Sequence, residues 1–313
     1  MKEMEKTPRV MMVSRKAESC GIAQYGKRVA HILSQRYNVF HLQTSDPSEF
    51  HRVYFTWQPT HIIYNYYSPI LPWINDDLIA DKRSKTKHIL IYHEVDVNFT
   101  PDAIVDVDST QPDKPEIQYY GSPRPLFENF EFETPRPNDI PTIGTFGFGF
   151  SDKNFKGLTE VVCDHFDQAR IRMHIGHAEF GDGEGNQAKE RIEECKQIIG
   201  MKNSGIILEP SHHFMNDYML MNWLHSNDLN FFYYPPNIGR GLSSVIDYAL
   251  SAKKPIAISR SSQFKHILPF ADEFVVPGNK LKDIINRGIG PLEKIYDQHS
   301  NENLLNLYSK IIN

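Results

Sequence analysis

No apolar run in the chain approaches the roughly 18–20 residues that a helix needs to cross a bilayer, so no stable membrane insertion is expected. Cysteine is scarce. Cys20, Cys163 and Cys195 lie far apart without a CxxC pair, which argues against a disulfide framework or a zinc site and leaves reduced thiols as the expectation. A GxGxxG run is missing, so the fingerprint of a nicotinamide or flavin site is weak. Strong positive charge is missing too: a net charge of −5 exerts no global pull on nucleic acid or anionic lipid, although Lys82-Arg-Ser-Lys-Thr-Lys-His88 is locally basic. Neither an internal repeat nor a low-complexity tract occurs. The start, Met1-Lys-Glu-Met-Glu-Lys6, leads only into the short apolar run Val10–Val13, which does not fit a signal peptide. A cytoplasmic location is expected, with peripheral contact at a membrane left open.

What is present reads as an α/β chain of two parts. At 313 residues with 40% apolar content, it can hold two domains of about 150 residues each. Strand-like runs at Arg9–Ser14, Asn38–Leu42, Thr60–Tyr64 and Lys87–Tyr92 alternate with stretches that suit helices, the pattern of a parallel sheet covered on both faces. Asp108–Pro141 is rich in proline and acidic residues, and a boundary is expected between about 135 and 141. A second α/β pattern follows. The expected domains are 1–135 and 141–313, with the last helix able to cross back onto the first.

Four places carry candidate chemistry. Glu18–Gly26, between the first strand and first helix, reads as a glycine loop at the sheet edge where α/β folds bind ligands. His93-Glu94 follows the fourth strand and suits an acid/base or oxygen-binding pair, or simply a strand-end histidine bonded to backbone. The loop after Ile143-Gly-Thr-Phe-Gly147 holds Lys153 and Lys156, two point charges that could neutralise a diphosphate. The fourth place is Asn230–Ser259: an aromatic strand, the loop Asn237-Ile-Gly-Arg-Gly-Leu-Ser-Ser244, a helix and a second apolar strand. There Gly239 and Gly241 permit a close backbone turn, Arg240 adds charge, and Ser243 and Ser244 would leave N–H groups facing outward at a helix start, or the loop is an ordinary βα turn. His174, His177, His212 and His213 match no metal motif, so no metal site is expected. Tyr64–Tyr67 and Trp73 could stack on a sugar or base, or belong to the core.

Taken together, these residues resemble the GT-B glycosyltransferases, and most closely the retaining family-4 group. Gly21-Ile-Ala-Gln-Tyr-Gly26 is similar to that family's first loop, His93-Glu94 falls at its strand-end histidine, and Ile143–Gly157 looks like its lysine-glycine loop. Gly239–Pro255 resembles its E-x7-E signature in degenerate form. Ile238 or Gly239 stands at the first glutamate, Asp247 matches the second after a shift of one, and Phe150 or Ser151 replaces an arginine. The resemblance implies two Rossmann-like domains facing each other across a cleft, and hexosyl or pentosyl transfer from a UDP- or GDP-linked sugar without a required cofactor or metal. It implies that Gly21, Ile22, Ala23, Lys153, Lys156, Arg240, Gly241, Leu242, Ser243 and Ser244 hold the donor, that Asp247 accepts from ribose, and that His93 and Glu94 face the reacting sugar or acceptor. The acceptor stays open among a glycan, a lipid-linked glycan and a nucleic acid. A non-catalytic sugar-nucleotide-binding protein and a nucleotide-sugar epimerase on the same fold remain alternatives.

Overall fold

The structure is a computed structural model that describes residues 7–17, 20–69, 71–83, 85–93, 96–176, 181–202, 205–236 and 241–313. The chain forms two compact units, Met1–Pro125 with Gln298–Asn313, and Leu126–Asp297. They part earlier than the proline-rich stretch at 135–141. Residues beyond Pro125 are already bonded into the second unit: Phe127 N donates to Ser251 Oγ at 3.0 Å, Glu133 N to Asn222 Oδ1 at 2.9 Å and Asn138 Nδ2 to Ser226 O at 3.1 Å.

In the first unit, the apolar run Arg9–Ser14 forms β1, buried along almost its whole length. Helix α1 spans Gly21–Leu33 and turns Ala23, Tyr25, Val29, Ile32 and Leu33 inward, the i, i+3, i+4 pattern of a helix with one apolar face. β2 (Asn38–Gln43), α2 (Pro47–Trp57), β3 (His61–Asn65), α3 (Asp76–Ala80) and β4 (Lys87–Tyr92) follow. Helix α2 escapes the periodic reading but has a clear start: Asp46 accepts from Ser48 N at 2.8 Å, and Pro47 occupies the first turn, where no N–H is needed. Among the described residues, the stretch between β3 and β4 contains only the five-residue α3, whose cap is Asn75. β5 (Ala103–Asp106) and β6 (Tyr119–Gly121) complete a six-stranded sheet in the order β2-β1-β3-β4-β5-β6. Every pairing is parallel.

The second unit repeats the plan with β7 (Thr142–Phe148), α4 (Phe155–His165), β8 (Gln168–Gly176), α5 (Asn186–Lys202), β9 (Gly205–Ser211), α6 (Asp217–His225), β10 (Leu229–Phe232), α7 (Val245–Ser251), β11 (Ile256–Ile258), α8 (Leu281–Arg287) and α9 (Glu293–Gln298). Its five parallel strands run β11-β10-β7-β8-β9. Beyond β11 the chain adds only a single parallel bridge, Val275 to Ile258. The final helix, α10 (Asn301–Ile312), belongs to the first unit and is separated from α9 by a short break. Ser300 caps α10 by accepting from Asn303 N, Arg36 reaches its Glu302, Asn306 and Ser309, and Lys87 Nζ donates to Ile311 O at 2.7 Å.

The two sheet orders place one chain reversal in each unit, between β1 and β3 and between β7 and β10. Ligand crevices of open α/β sheets form outside the strand ends at such points. Gly144, in β7 beside that reversal, is held there by packing: a Cβ would stand 1.9 Å from Asn227 Nδ2 and 2.9 Å from Asn230 Oδ1, members of a buried amide pair bonded at 2.9 Å. Gly144→Ala should therefore destabilise the protein by about 1–3 kcal/mol, the usual range for overpacking. Urea unfolding reads this directly, and an unchanged midpoint would contradict the packing argument.

Candidate functional site

At the β1–β3 reversal, the carboxamide of Asn65, the last residue of β3, is the hub. Its Nδ2 donates to Ile22 O at 2.7 Å and to Ser14 Oγ at 3.2 Å, and its Oδ1 receives His93 Nε2 at 2.7 Å. An amide oxygen can only accept, so the His93 ring carries its proton on Nε2 and presents Nδ1 as an acceptor. Burial, reinforced by the positive Arg124, lowers the His93 pKa to about 3. The ring is neutral at physiological pH and offers hydrogen bonding rather than proton exchange. Tyr25 meets it edge-on at 5.2 Å, and Arg124 lies 4.8 Å over the other partner, the Tyr25 ring.

The expected glycine loop at Gly21–Gly26 is corrected by the structure, because α1 begins at Gly21 and Gly26 lies inside it. Gly26 is an approach glycine: a Cβ would sit 2.4 Å from Asn65 Nδ2 and 2.5 Å from Ser14 Oγ. Gly21 is exposed, Ile22 half-buried and Ala23 buried, and of these Ile22 joins the polar network through its carbonyl. Glu94 lies outside the described residues. Tyr64 and Tyr66 are fully buried against Phe99, and Trp73 packs 5.3 Å from Phe50, so these rings serve the core. The basic run at 82–88 is no open patch either: Lys82 and His88 are buried and Arg83 pairs with Asp102 at 3.3 Å.

At the β7–β10 reversal, a short 3-10 turn over Ser151–Lys153 leads into α4. Asn154 there takes a left-handed conformation (φ 48°), caps α4 by accepting from Gly157 N at 3.2 Å, and donates its Nδ2 to Tyr233 O at 3.1 Å. This ties the lysine loop to the end of β10. Lys153 Nζ sits 4.3 Å from the centre of the Tyr234 ring, 3.2 Å from Gln263 Oε1 and 3.4 Å from Asp152 Oδ2. Gln263 also donates Nε2 to Asp152 Oδ2 at 3.3 Å, and its backbone carbonyl accepts Ser243 N at 3.0 Å. Lys153 and Ser243, both singled out from the sequence, are thus connected through a residue that was not. Gln263 and Asp152 carried a faint signal: each stands in a polar run directly after a strand or within a strand-to-helix turn.

The remaining candidates are placed differently. Lys156 is exposed in the first turn of α4 and makes no ion pair among the described residues. Gly241 and Leu242 are half-buried without regular structure, and Arg240 lies outside the described residues. The expected cap at Ser243–Ser244 does not form: Ser244 already has a right-handed helical backbone with no side-chain cap, and the Ser243 N–H is taken by Gln263. Asp247 is fully buried in the first turn of α7, where a carboxylate suits the positive end of the helix, so it is not presented to a ligand. His174 bonds Ser211 Oγ at 2.9 Å and His212 bonds Ile175 O at 2.9 Å, while His177 lies outside the described residues. Among the described residues, no group of three His, Cys, Asp or Glu side chains is placed to hold a metal ion.

With this geometry in hand, comparison with solved structures is informative about the fold. A glycosyltransferase from Rickettsia africae ESF-5 superimposes with a TM-score of 0.64 at 12% identity, covering 98% of both chains. AviGT4, a glycosyltransferase involved in avilamycin A biosynthesis, gives 0.62 at 12% identity over 97% of this chain and 98% of its own. Anabaena HepE in complex with UDP and glucose gives 0.57 at 14% identity over 98% and 96%. The chain shares the fold of these enzymes along nearly its whole length. No protein-family model matches it, and no curated protein does.

Burial holds other histidines neutral as well: His88 and His174 are both lowered to about 4. An unfolded chain protonates these rings near 6.5, whereas the folded chain resists until about 3–4, so stability is lost as pH falls through this window. Going from neutral pH to about pH 5 should cost about 2 kcal/mol per buried ring. Urea unfolding at the two pH values measures the loss, and His93→Gln should shrink it; equal stabilities would contradict the assignment.

Proposed function

We propose that the protein is a glycosyltransferase that uses a nucleotide-sugar, with the second unit on the donor side and the first on the acceptor side. The observation that carries this reading is the Lys153 cluster at the β7–β10 reversal, a cation 12% exposed at its side chain and seated at the strand ends, in a fold shared over its full length with a HepE structure solved with UDP and glucose. Lys153, exposed Lys156 and Arg240, with the backbone of Gly241–Ser244, would stabilise charge developing on the departing diphosphate, a large contribution in such reactions because the donors are held in place beforehand. Gln263 holds Lys153 between a carboxylate and an aromatic face, so an arriving phosphate has weakly bound partners to displace.

In the first unit, His93 Nδ1 is suited to accept from a sugar or acceptor hydroxyl, with Asn65 fixing the ring. Proton removal at neutral pH then falls to another group, because a ring with a pKa of about 3 holds too little proton affinity. UDP is the preferred nucleotide, and hexosyl transfer without a metal is the finer form of the proposal. The burial of Asp247 favours a second reading, a sugar-nucleotide-binding protein without turnover, since the acidic residue aligned with the ribose contact is turned inside.

A panel of UDP- and GDP-sugars, assayed for binding, hydrolysis and transfer, separates the two readings. Lys153→Ala should weaken UDP-sugar binding about tenfold or more, the loss of a charge-assisted hydrogen bond, and Lys156→Ala should lower turnover, with thermal unfolding little changed for the exposed Lys156. Unchanged donor kinetics in both variants would reject the site. Turnover should survive EDTA; loss on chelation and recovery with a divalent ion would reject the metal-free form.

A further inference from the structure

A parallel sheet is normally covered on both faces. Among the described residues, the β8–β9 half of the second sheet is covered fully on one face and only in part on the other. One face of β8, formed by Ala169, Ile171, Met173 and Ile175, is buried in the core. On the opposite face Arg170 and Arg172 are half-buried and His174 is buried, and the register Arg170 to Ile207, Arg172 to Glu209 and His174 to Ser211 sets β9 side chains beside them. Ile207 there is 45% exposed and Glu209 is exposed as well. Helix α6 flanks this open floor, and a cavity of about 460 Å³ lies between them, lined by Arg172, Glu209, Glu133, Met219, Trp223 and their neighbours. That volume falls in the roughly 300–1,000 Å³ range of small-molecule sites.

The chemistry of the lining selects the ligand. Both floor arginines are already committed within the protein. Arg172 stacks 4.9 Å from the Trp223 ring and donates to Ser226 Oγ at 2.6 Å and Asn227 Oδ1 at 2.9 Å. Arg170 pairs with Glu209 at 2.8 Å and Asp139 at 3.0 Å. An anion would meet the Glu133 and Glu209 carboxylates without a further guanidinium to offset it, and a purely apolar ligand would cover the acceptor positions that Tyr218 and Arg170 leave on them. The walls instead combine hydrogen-bond acceptors with an aromatic and thioether surface. Glu133 already accepts from Tyr218 Oη at 2.9 Å and Ser211 contributes a hydroxyl, while exposed Phe214 (65%), Tyr218 (51%) and Met219 (44%) lie along the same stretch of chain. A neutral ring with hydroxyl donors on its edge and C–H groups on its face satisfies both surfaces.

We propose that this groove is a saccharide-binding site that takes an uncharged sugar ring of an oligosaccharide. It is built on different residues from the Lys153 cluster and goes beyond the proposed transfer reaction without depending on it.

The chain has three tryptophans, so replacing Trp57 and Trp73 by Phe in the full-length protein makes Trp223 the sole tryptophan emitter. Maltohexaose, cellohexaose, xylohexaose and mannohexaose are titrated separately, with tetramethylammonium and UDP as further probes; saturation-transfer NMR on the unsubstituted chain gives a readout that does not need the Phe replacements. At least one hexaose should shift Trp223 emission saturably and receive saturation transfer. Glu133→Gln and exposed Tyr218→Ala should each weaken that binding about fivefold, as expected for one lost hydrogen bond, with UDP affinity unchanged. Silence from all four hexaoses, a response to tetramethylammonium alone, or affinity unaltered by both substitutions would overturn the proposal. Because UDP is read separately, failure of the donor reading does not mask or mimic any of these results.

Discussion

Parallel strands cannot be joined by tight turns. Every connection must cross back over a face of the sheet, so all carboxyl ends collect on one edge and all helices return from the other. In both units this constraint fixes where a ligand can be met, because each sheet reverses its direction of growth once. The polar side chains of interest sit where helices on the two sides of that reversal leave a gap: Asn65 with Ser14 and His93 in one unit, Lys153 with Asp152 and Gln263 in the other. Core packing holds these positions. Gly26 and Gly144 are the points at which backbone must come so close to a polar side chain that even a methyl group does not fit.

The two sites manage buried polarity in opposite ways. Around Asn65 the hydrogen-bonded groups, the Ser14 hydroxyl, the Ile22 carbonyl and the His93 ring, are uncharged, and the carboxamide fixes each of them as acceptor or donor toward it. Around Lys153 a full charge meets the Asp152 carboxylate, the Gln263 amide and the Tyr234 face. No single partner there is as strong as a bidentate clamp, so the ammonium can exchange partners at modest cost.

Much of this was legible in the sequence where one local rule acted alone. The apolar runs of β1, β3, β4, β7 and β10 read directly, because burial on both faces leaves a near-continuous apolar pattern. Strands β5 and β6 were hidden by their shortness, with four and three residues, the second of them within the proline-rich acidic tract. Helix α2 was not read from the sequence; its local signal is the Asp46-Pro47 start. Lys153 was legible from its loop, but Gln263 arrives from 110 residues away, and only the sheet order reveals that β11 ends near β7. The place of Asp247 in the first turn of a helix is local and was legible, whereas its burial is set by how α7 packs.

The return of α10 to the first unit orders events during synthesis. Gln298–Asn313 leaves the ribosome after the whole of Leu126–Asp297, so the second unit can form its core while the first still lacks a helix. Until then, the Arg36 guanidinium, the Tyr37 hydroxyl and the Lys87 ammonium stand without their α10 partners. The unit made first is therefore the one finished last. A ribosome that stalls or stops short within the last few turns releases a chain with an intact second unit and an open seam along α1 and β4.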